Sequence, residues 1–428
     1  MTRRTLAVNA LARVEGEGGM FVQVRDGQVE AVTLDIFEPP RFFEALLRGR
    51  DFSEAPDITA RICGICPVAY QMSACLAIED AFGIEVPDEI RLMRRLLYCG
   101  EWIESHALHI FFLHAPDFLG FDSGIDMARE HREVVEAALR IKAAGNDLMS
   151  VVGGRSVHPV NVKVGGFHRL PTVAELQAIR PRLAAALEDV LAAVPLLAGF
   201  EFPDFDQPYL YLALGAGQDY PLEAGRLTTS TGSDMPVAEF GEHVVEEHVE
   251  HSNALHARYD GDPYVVGPLA RYSLHYDALS PMAKQVAAAA GLSQKCRNPF
   301  RSILVRAVEL AYALEEAVRV IDDWQGAAAP AIEVPVRAGV GHGATEAPRG
   351  LLYHRYRIAE DGSIGEATIV PPTSQNQLAV EGDLRAFVQE RLEMPDEQLS
   401  YQCETAIRNY DPCISCATHF LDLRVERR

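Results

Sequence analysis

Residues 20–38, MFVQVRDGQVEAVTLDIFE, alternate apolar and polar positions around Asp26-Gly27, a pattern that predicts a β-hairpin. The stretch PPRFFEALLRGRD follows with a proline start and helical spacing. Helix-like periodicity then occupies the later part of 58–82 and the segments 86–115, 125–149, 172–199, 281–291 and 302–325. Proline and glycine collect in the connections, notably at 153–171. From 331 to 371 the pattern changes to short strands with a turn at Asp361-Gly362, and helices return at 376–392 and 395–409. There is no repeat, low-complexity tract or long linker. The expected fold class is mainly α with small β additions (α+β). We expect one domain over 1–428, with a hairpin at about 20–38, a helical core at about 58–325, a β region at about 331–371 and a C-terminal segment at 376–428.

Composition narrows the function classes. The chain has 428 residues, 48% of them hydrophobic, enough for a large core. Its longest apolar stretch, AAALEDVLAAVPLLAGF, is broken by Glu188 and Asp189, so no membrane span is expected. The N-terminus carries no signal-peptide pattern, and the expected location is cytoplasmic. The formal charge of −22 argues against nucleic acid and anionic membranes as partners, and by itself it reads as solubility.

Chemistry enters with the eight cysteines, too few for a disulfide scaffold in a chain of this length. Cys63 and Cys66 lie in RICGIC, and Cys413 and Cys416 lie in DPCISC. If the two pairs meet, four soft thiolates converge, which suits zinc, iron–sulfur, copper(I) or nickel. A structural zinc site usually draws its pairs from nearby sequence, and a thioredoxin-type motif needs only one pair inside a βαβ unit. Here hundreds of residues intervene. Asp411 and His419 flank the second pair, Glu15 lies in ARVEGEGG, and Arg349 lies in EAPRG.

At these residues the sequence resembles the large, catalytic subunit of the nickel–iron (NiFe) hydrogenases. The likeness runs through ARVEGEGG, EPPRFFEALLRGRD, RICGIC, ESHALH, HPVNVKVGGFHRLP, EAPRG and YDPCISCATHF, nearly the whole chain. Within the family the wording is most similar to the cytoplasmic heteromultimeric group linked to NADP(H) or NAD(H), including the sulfhydrogenases. The related subunit of complex I has lost these cysteines, which this chain keeps.

The resemblance implies a Ni–Fe centre whose iron carries carbon monoxide and cyanide. Cys63 and Cys413 would be terminal on nickel, and Cys66 and Cys416 would bridge to iron. Pro348, Arg349 and Thr373 would cradle the cyanides. Splitting H2 needs an electron-accepting metal and a base. Cys413 is the first choice of base, since an arginine is almost always protonated. Arg349 would then act electrostatically with Asp117 and Asp411, and Glu15 would pass the proton outward. Glu44 and His419 match a second site, usually magnesium. Taken without the family, Glu15 and Glu44 would read as exposed carboxylates. Cys75, Cys99, Cys296 and Cys403 are scattered and read as buried apolar residues, so no iron–sulfur cluster is expected in this chain. Electrons would leave through a small subunit with iron–sulfur clusters, and the expected neighbours are NAD(P)-binding flavin and ferredoxin-like subunits. A maturation endopeptidase would cut after His419. The competing functions are sulfur or polysulfide reduction by the same complex, and a non-catalytic structural protein with zinc on the four cysteines.

Other features are discounted. His106, His109 and His114 lack the HExxH pattern and read as packing near the active site. EHVVEEHVEHS, at 242–252, reads as a helix with charges around it and a solvated face. GVGHG, at 339–343, lacks the helix a nucleotide loop needs. Tyr70 and Glu17 stand where many family members have histidine.

Overall fold

The computed structural model describes residues 3–215, 217 and 219–418. Asp26 and Gly27 both take positive φ, 49° and 79°, the geometry that matches the twist of a tight hairpin. They join strands Gly18–Arg25 and Gln28–Ile36, and a third strand, Arg3–Val8, pairs along the outer edge. The helical core is a packed group of four long helices, Asp88–Leu108, Arg132–Gly153, Val173–Ala198 and Ser302–Asp323. Thr172 and Glu175 form a reciprocal capping box at the start of the third, satisfying amides that would otherwise be orphaned. Among the described residues no helix is long and apolar enough to cross a membrane.

Helix Pro67–Phe82 lies at the centre and is buried on nearly every face, as expected of a helix without a polar stripe. It packs on the antiparallel sheet Gly339–Ala347, Gly350–Ile358 and Ile364–Val370. This contact explains GVGHG. Gly339, Gly341 and Gly343 share one face of their strand, by the period of two. A Cβ on Gly341 would stand 1.9 Å from the Ala77 carbonyl oxygen, and one on Gly343 would stand 2.4 Å from that of Ser73. Backbone therefore rests directly on backbone, and the strand is a packing surface for the helix that follows Cys66.

The sequence pattern misses one region. Residues 206–262 carry strands Leu212–Gly215, Arg226–Thr229 and Asp234–Met235 and a hairpin of Val244–Val249 with Ser252–Tyr259. EHVVEEHVEHS is thus mainly strand and turn rather than a charged helix. Its β-branched valines fit a half-buried pleat, and the partner strand lies against helix Pro372–Gln389. These strands surround a small second core with Tyr353 and Phe240 stacked at 4.1 Å.

The close strand–helix contact yields a test. Gly341→Ala is expected to destabilise the chain by about 2–3 kcal/mol, because a rigid backbone must move to admit one methyl group. A fall in denaturation midpoint checks it, and an unchanged midpoint would contradict the contact.

Candidate metal centre

The two cysteine pairs meet because both ends of the chain are fastened to the same place. Cys66 caps helix Pro67–Phe82, and the orphan amides of Val68 and Ala69 donate to the buried Glu101 carboxylate at 2.6 and 3.2 Å. Cys413 opens the short helix Ile414–Ala417. Its segment forms a parallel bridge with Glu15, with the Ile414 amide donating to the Glu15 carbonyl at 2.9 Å. The Cys413 amide donates to the Thr373 hydroxyl oxygen at 3.0 Å. Arg41 reaches both halves, since its guanidinium donates to the carbonyls of Ile62 and Ser415.

The four sulfurs lie within 4.8 Å of one another, all buried. Cys63 and Cys413 are 3.3 Å apart, Cys66 and Cys416 3.6 Å, and Cys413 and Cys416 2.9 Å. Hydrogen bonds from Cys413 and Cys416, with the nearby Arg349 charge, hold the Cys63 thiol well below its ordinary pKa. Burial pushes Cys413 and Cys416 up. The protein alone thus favours one thiolate, and ionising the rest requires a cation among them. Glu15 sits at the edge, with the Cys413 thiol donating to its carboxylate at 3.2 Å and the Ser415 amide at 3.1 Å.

Arg349 is held beside the sulfurs. Its Nε donates to the Asp411 carbonyl at 2.8 Å, and a terminal nitrogen donates to the Asp411 carboxylate at 3.1 Å. Burial opposes its charge, but Asp411 and the cysteine sulfurs outweigh that and keep its pKa well above the usual value. The arm that presents it is braced by Arg271, whose guanidinium donates to the carbonyls of Ala347 at 2.7 Å and Pro348 at 3.0 Å. Arg271 also pairs with Glu309 and Glu346, all three fully buried. Gly267, at φ 105°, lets the backbone pass under Arg349, where a Cβ would come within 2.5 Å of the Arg349 carbonyl oxygen. One nitrogen of Arg349 and one oxygen of Asp411 remain buried without a hydrogen-bond partner among the described residues. A bare zinc ion would leave both unused. A larger group carrying acceptor atoms fits the Arg349 nitrogen, and the donor set of four thiolates fits nickel and iron.

The profile of the nickel-dependent hydrogenases matches residues 41–135 and 220–419. The chain belongs to the nickel-dependent hydrogenase family. It is 35% identical to the sulfhydrogenase 1 subunit alpha of Pyrococcus furiosus, over 98% of each chain. It is 34% identical to the sulfhydrogenase 2 subunit alpha of the same organism, over 98% of this chain and all of that one. Its fold matches a solved NAD+-reducing nickel–iron hydrogenase in the H2-reduced state with a TM-score of 0.87 and 27% identity, covering 97% of this chain and 99% of that one. It is a catalytic large subunit of this family, and the cysteine cluster is consistent with the Ni–Fe site.

The other hydrogenase residues expected from sequence fall in varied places. Asp117 is buried, but its carboxylate is taken up by Arg13 and by a bidentate Arg408, at 2.7 and 2.9 Å. Burial raises its pKa, and Arg408 overrides this to hold it below the carboxylate range. Glu44 is buried and accepts from the Ile369 amide at 2.7 Å. Close by, burial pushes the Glu246 carboxyl up to about 8, and the Glu44 charge adds to the shift. His419 lies outside the described residues. Burial holds His106 at about 4 and His114 at about 3, so both are neutral. Tyr70 stands one turn after Cys66, and its hydroxyl is buried without a hydrogen-bond partner among the described residues. Arg41, Glu101 and Arg271 escape sequence reading, because the groups they hold are distant in the chain and no local motif marks them.

Arg271 carries the testable consequence. Arg271→Met leaves Glu309 and Glu346 buried without their cation, with an expected loss of about 3–5 kcal/mol. The denaturation midpoint should fall and nickel per chain should drop with it. Unchanged values would show that the network does not support the Arg349 arm.

Proposed function

We propose that this chain activates H2 for a heteromultimeric enzyme, in the reversible conversion of H2 into two protons and two electrons. The observation that carries the reading is Glu15. Its carboxylate lies 3.2 Å from the Cys413 sulfur, at the edge of four buried sulfurs within 4.8 Å. When bound, the nickel–iron group supplies redox-active metals that take up the electrons of H2.

The chain's own residues do the rest. Cys63, Cys66, Cys413 and Cys416 would together hold the nickel and iron. The Cys413 sulfur receives the proton and hands it to the Glu15 oxygen it already contacts. A carboxylate can accept a proton and release it by turning, whereas glutamine has no basic oxygen to protonate. Arg349 stays a cation and positions charge, and Asp411 fixes its orientation. Arg349, Pro348 and Thr373 would cradle the carbon monoxide and cyanide on iron. Asp117 acts at one remove, by pairing with Arg13 and Arg408. Glu44 with His419 would hold magnesium, a hard cation suited to a carboxylate.

Electrons leave through a small subunit with iron–sulfur clusters, and flavin and ferredoxin-like subunits connect it to NAD(H) or NADP(H). The solved NAD+-reducing relative supports that linkage. The complex works in the cytoplasm, and an endopeptidase trims the chain after His419. A polysulfide-reducing activity of the same complex is favoured by the two Pyrococcus relatives named sulfhydrogenases.

Two measurements test this reading. Purified complex should contain nickel and iron in equal amounts at this site and show infrared bands of bound carbon monoxide and cyanide. Zinc alone without those bands would sink it in favour of a structural site. Glu15→Gln should abolish H2 turnover, by at least a hundredfold, while both metals and the infrared bands persist. Full turnover in that variant would remove Glu15 from the proton route.

A further inference from the structure

The hairpin that the sequence pattern misses brings two histidines to a carboxylate. His251 occupies the turn between Val244–Val249 and Ser252–Tyr259, and His256 follows a register break in the second strand. Glu381 sits in the middle of helix Pro372–Gln389 and faces them. Its Oε1 accepts from the Leu34 amide at 2.9 Å and lies 2.8 Å from His251 Nε2 and 3.6 Å from His256 Nε2. The two rings stand 5.4 Å apart and nearly perpendicular. One donor atom from each of the three residues can be chosen so that all lie within 4.8 Å.

His256 is the informative member. It is 1% exposed, and both of its ring nitrogens are buried without a hydrogen-bond partner among the described residues. A buried imidazole left this way costs free energy that a ligand would recover. At 3.6 Å its Nε2 is too far from Glu381 for a hydrogen bond. Two donors that share one ion at ~2.0–2.1 Å stand roughly 3–3.5 Å apart, close to this spacing. Two imidazoles and a carboxylate are a borderline donor set, suited to zinc and its first-row neighbours and poor for magnesium. The side chain of His251 is 31% exposed, which leaves a route for the ion and room for water as a further ligand.

We propose that His251, His256 and Glu381 form a second metal site that binds one divalent ion of the zinc class and clips the hairpin to helix Pro372–Gln389. The site shares no residue with the cysteine cluster or with Glu44. Its placement gives it a mechanical role. The same helix carries Thr373, which accepts from the Cys413 amide. Asn253 of the hairpin donates to the Glu38 carbonyl at 3.2 Å, and the Glu38 carboxylate accepts from the Ser415 hydroxyl at 2.7 Å. The ion therefore fastens two elements, the hairpin and the helix, that both lead by hydrogen bonds to the second cysteine pair.

The test uses the assembled, nickel-loaded enzyme, so that the cysteines are already occupied. After treatment with a chelator it is titrated with Co2+, whose visible ligand-field bands report nitrogen and oxygen ligands. One equivalent should bind, and Zn2+ should displace it. His256→Gln should abolish this uptake, and His251→Gln, at the half-exposed turn, should weaken it at least tenfold. Zn2+ should raise the melting temperature of the unaltered enzyme only. Failure to take up millimolar Co2+, or equal uptake by unaltered enzyme and His251→Gln, overturns the proposal. Should His256→Gln fail to fold, His251→Gln decides alone.

Discussion

Four buried sulfurs cannot all ionise without a cation between them, and the rest of the molecule is arranged around that constraint. Cys63 and Cys413 approach to 3.3 Å across 350 residues of chain. Closing a loop of that length costs about 5 kcal/mol beyond a constant term, so the approach has to be fixed by other contacts before any metal contributes. The structure supplies them in layers. Glu101 fixes the turn of the first pair, the Glu15 bridge and Thr373 fix the second, and Arg41 holds one to the other.

The same layering accounts for the charged interior. Arg271, Glu309 and Glu346 form a fully buried network, and breaking such a network is far more costly than a surface pair would suggest. What the network secures is geometry: two consecutive carbonyls, and through them the position of Arg349. Asp117 forms a second ion cluster with Arg13 and Arg408, and Arg408 also donates to the Ala12 carbonyl, three residues before Glu15.

Much of this is legible from the residues, and what is not has a physical reason. Asp26-Gly27 and Asp361-Gly362 mark real turns because positive φ is a local demand with a local signature. The long helices follow from periodicity, and the cysteine pairs with their flanking acids announce themselves. The hairpin of Val244–Val249 with Ser252–Tyr259 does not, because charged residues alternate there with short valine runs, and packing against helix Pro372–Gln389 decides for strand. Arg41, Glu101 and Arg271 are invisible because their partners, backbone groups and for Arg271 also the carboxylates of Glu309 and Glu346, lie far along the chain. The family pattern groups Asp117 with Arg349, and the structure gives its carboxylate to other arginines. His419, expected from the family pattern to hold magnesium, falls outside the described residues.

The separation of the two cysteine pairs also has a consequence in time. At ordinary rates of protein synthesis, of about 5–20 residues per second, 350 residues take ~20–70 s to make. For that interval Cys63 and Cys66 exist as a half-site with exposed thiols and no partner. Oxidation or capture of the wrong metal during synthesis is therefore a hazard built into the topology. The four-sulfur site is completed only after the C-terminal segment has been made.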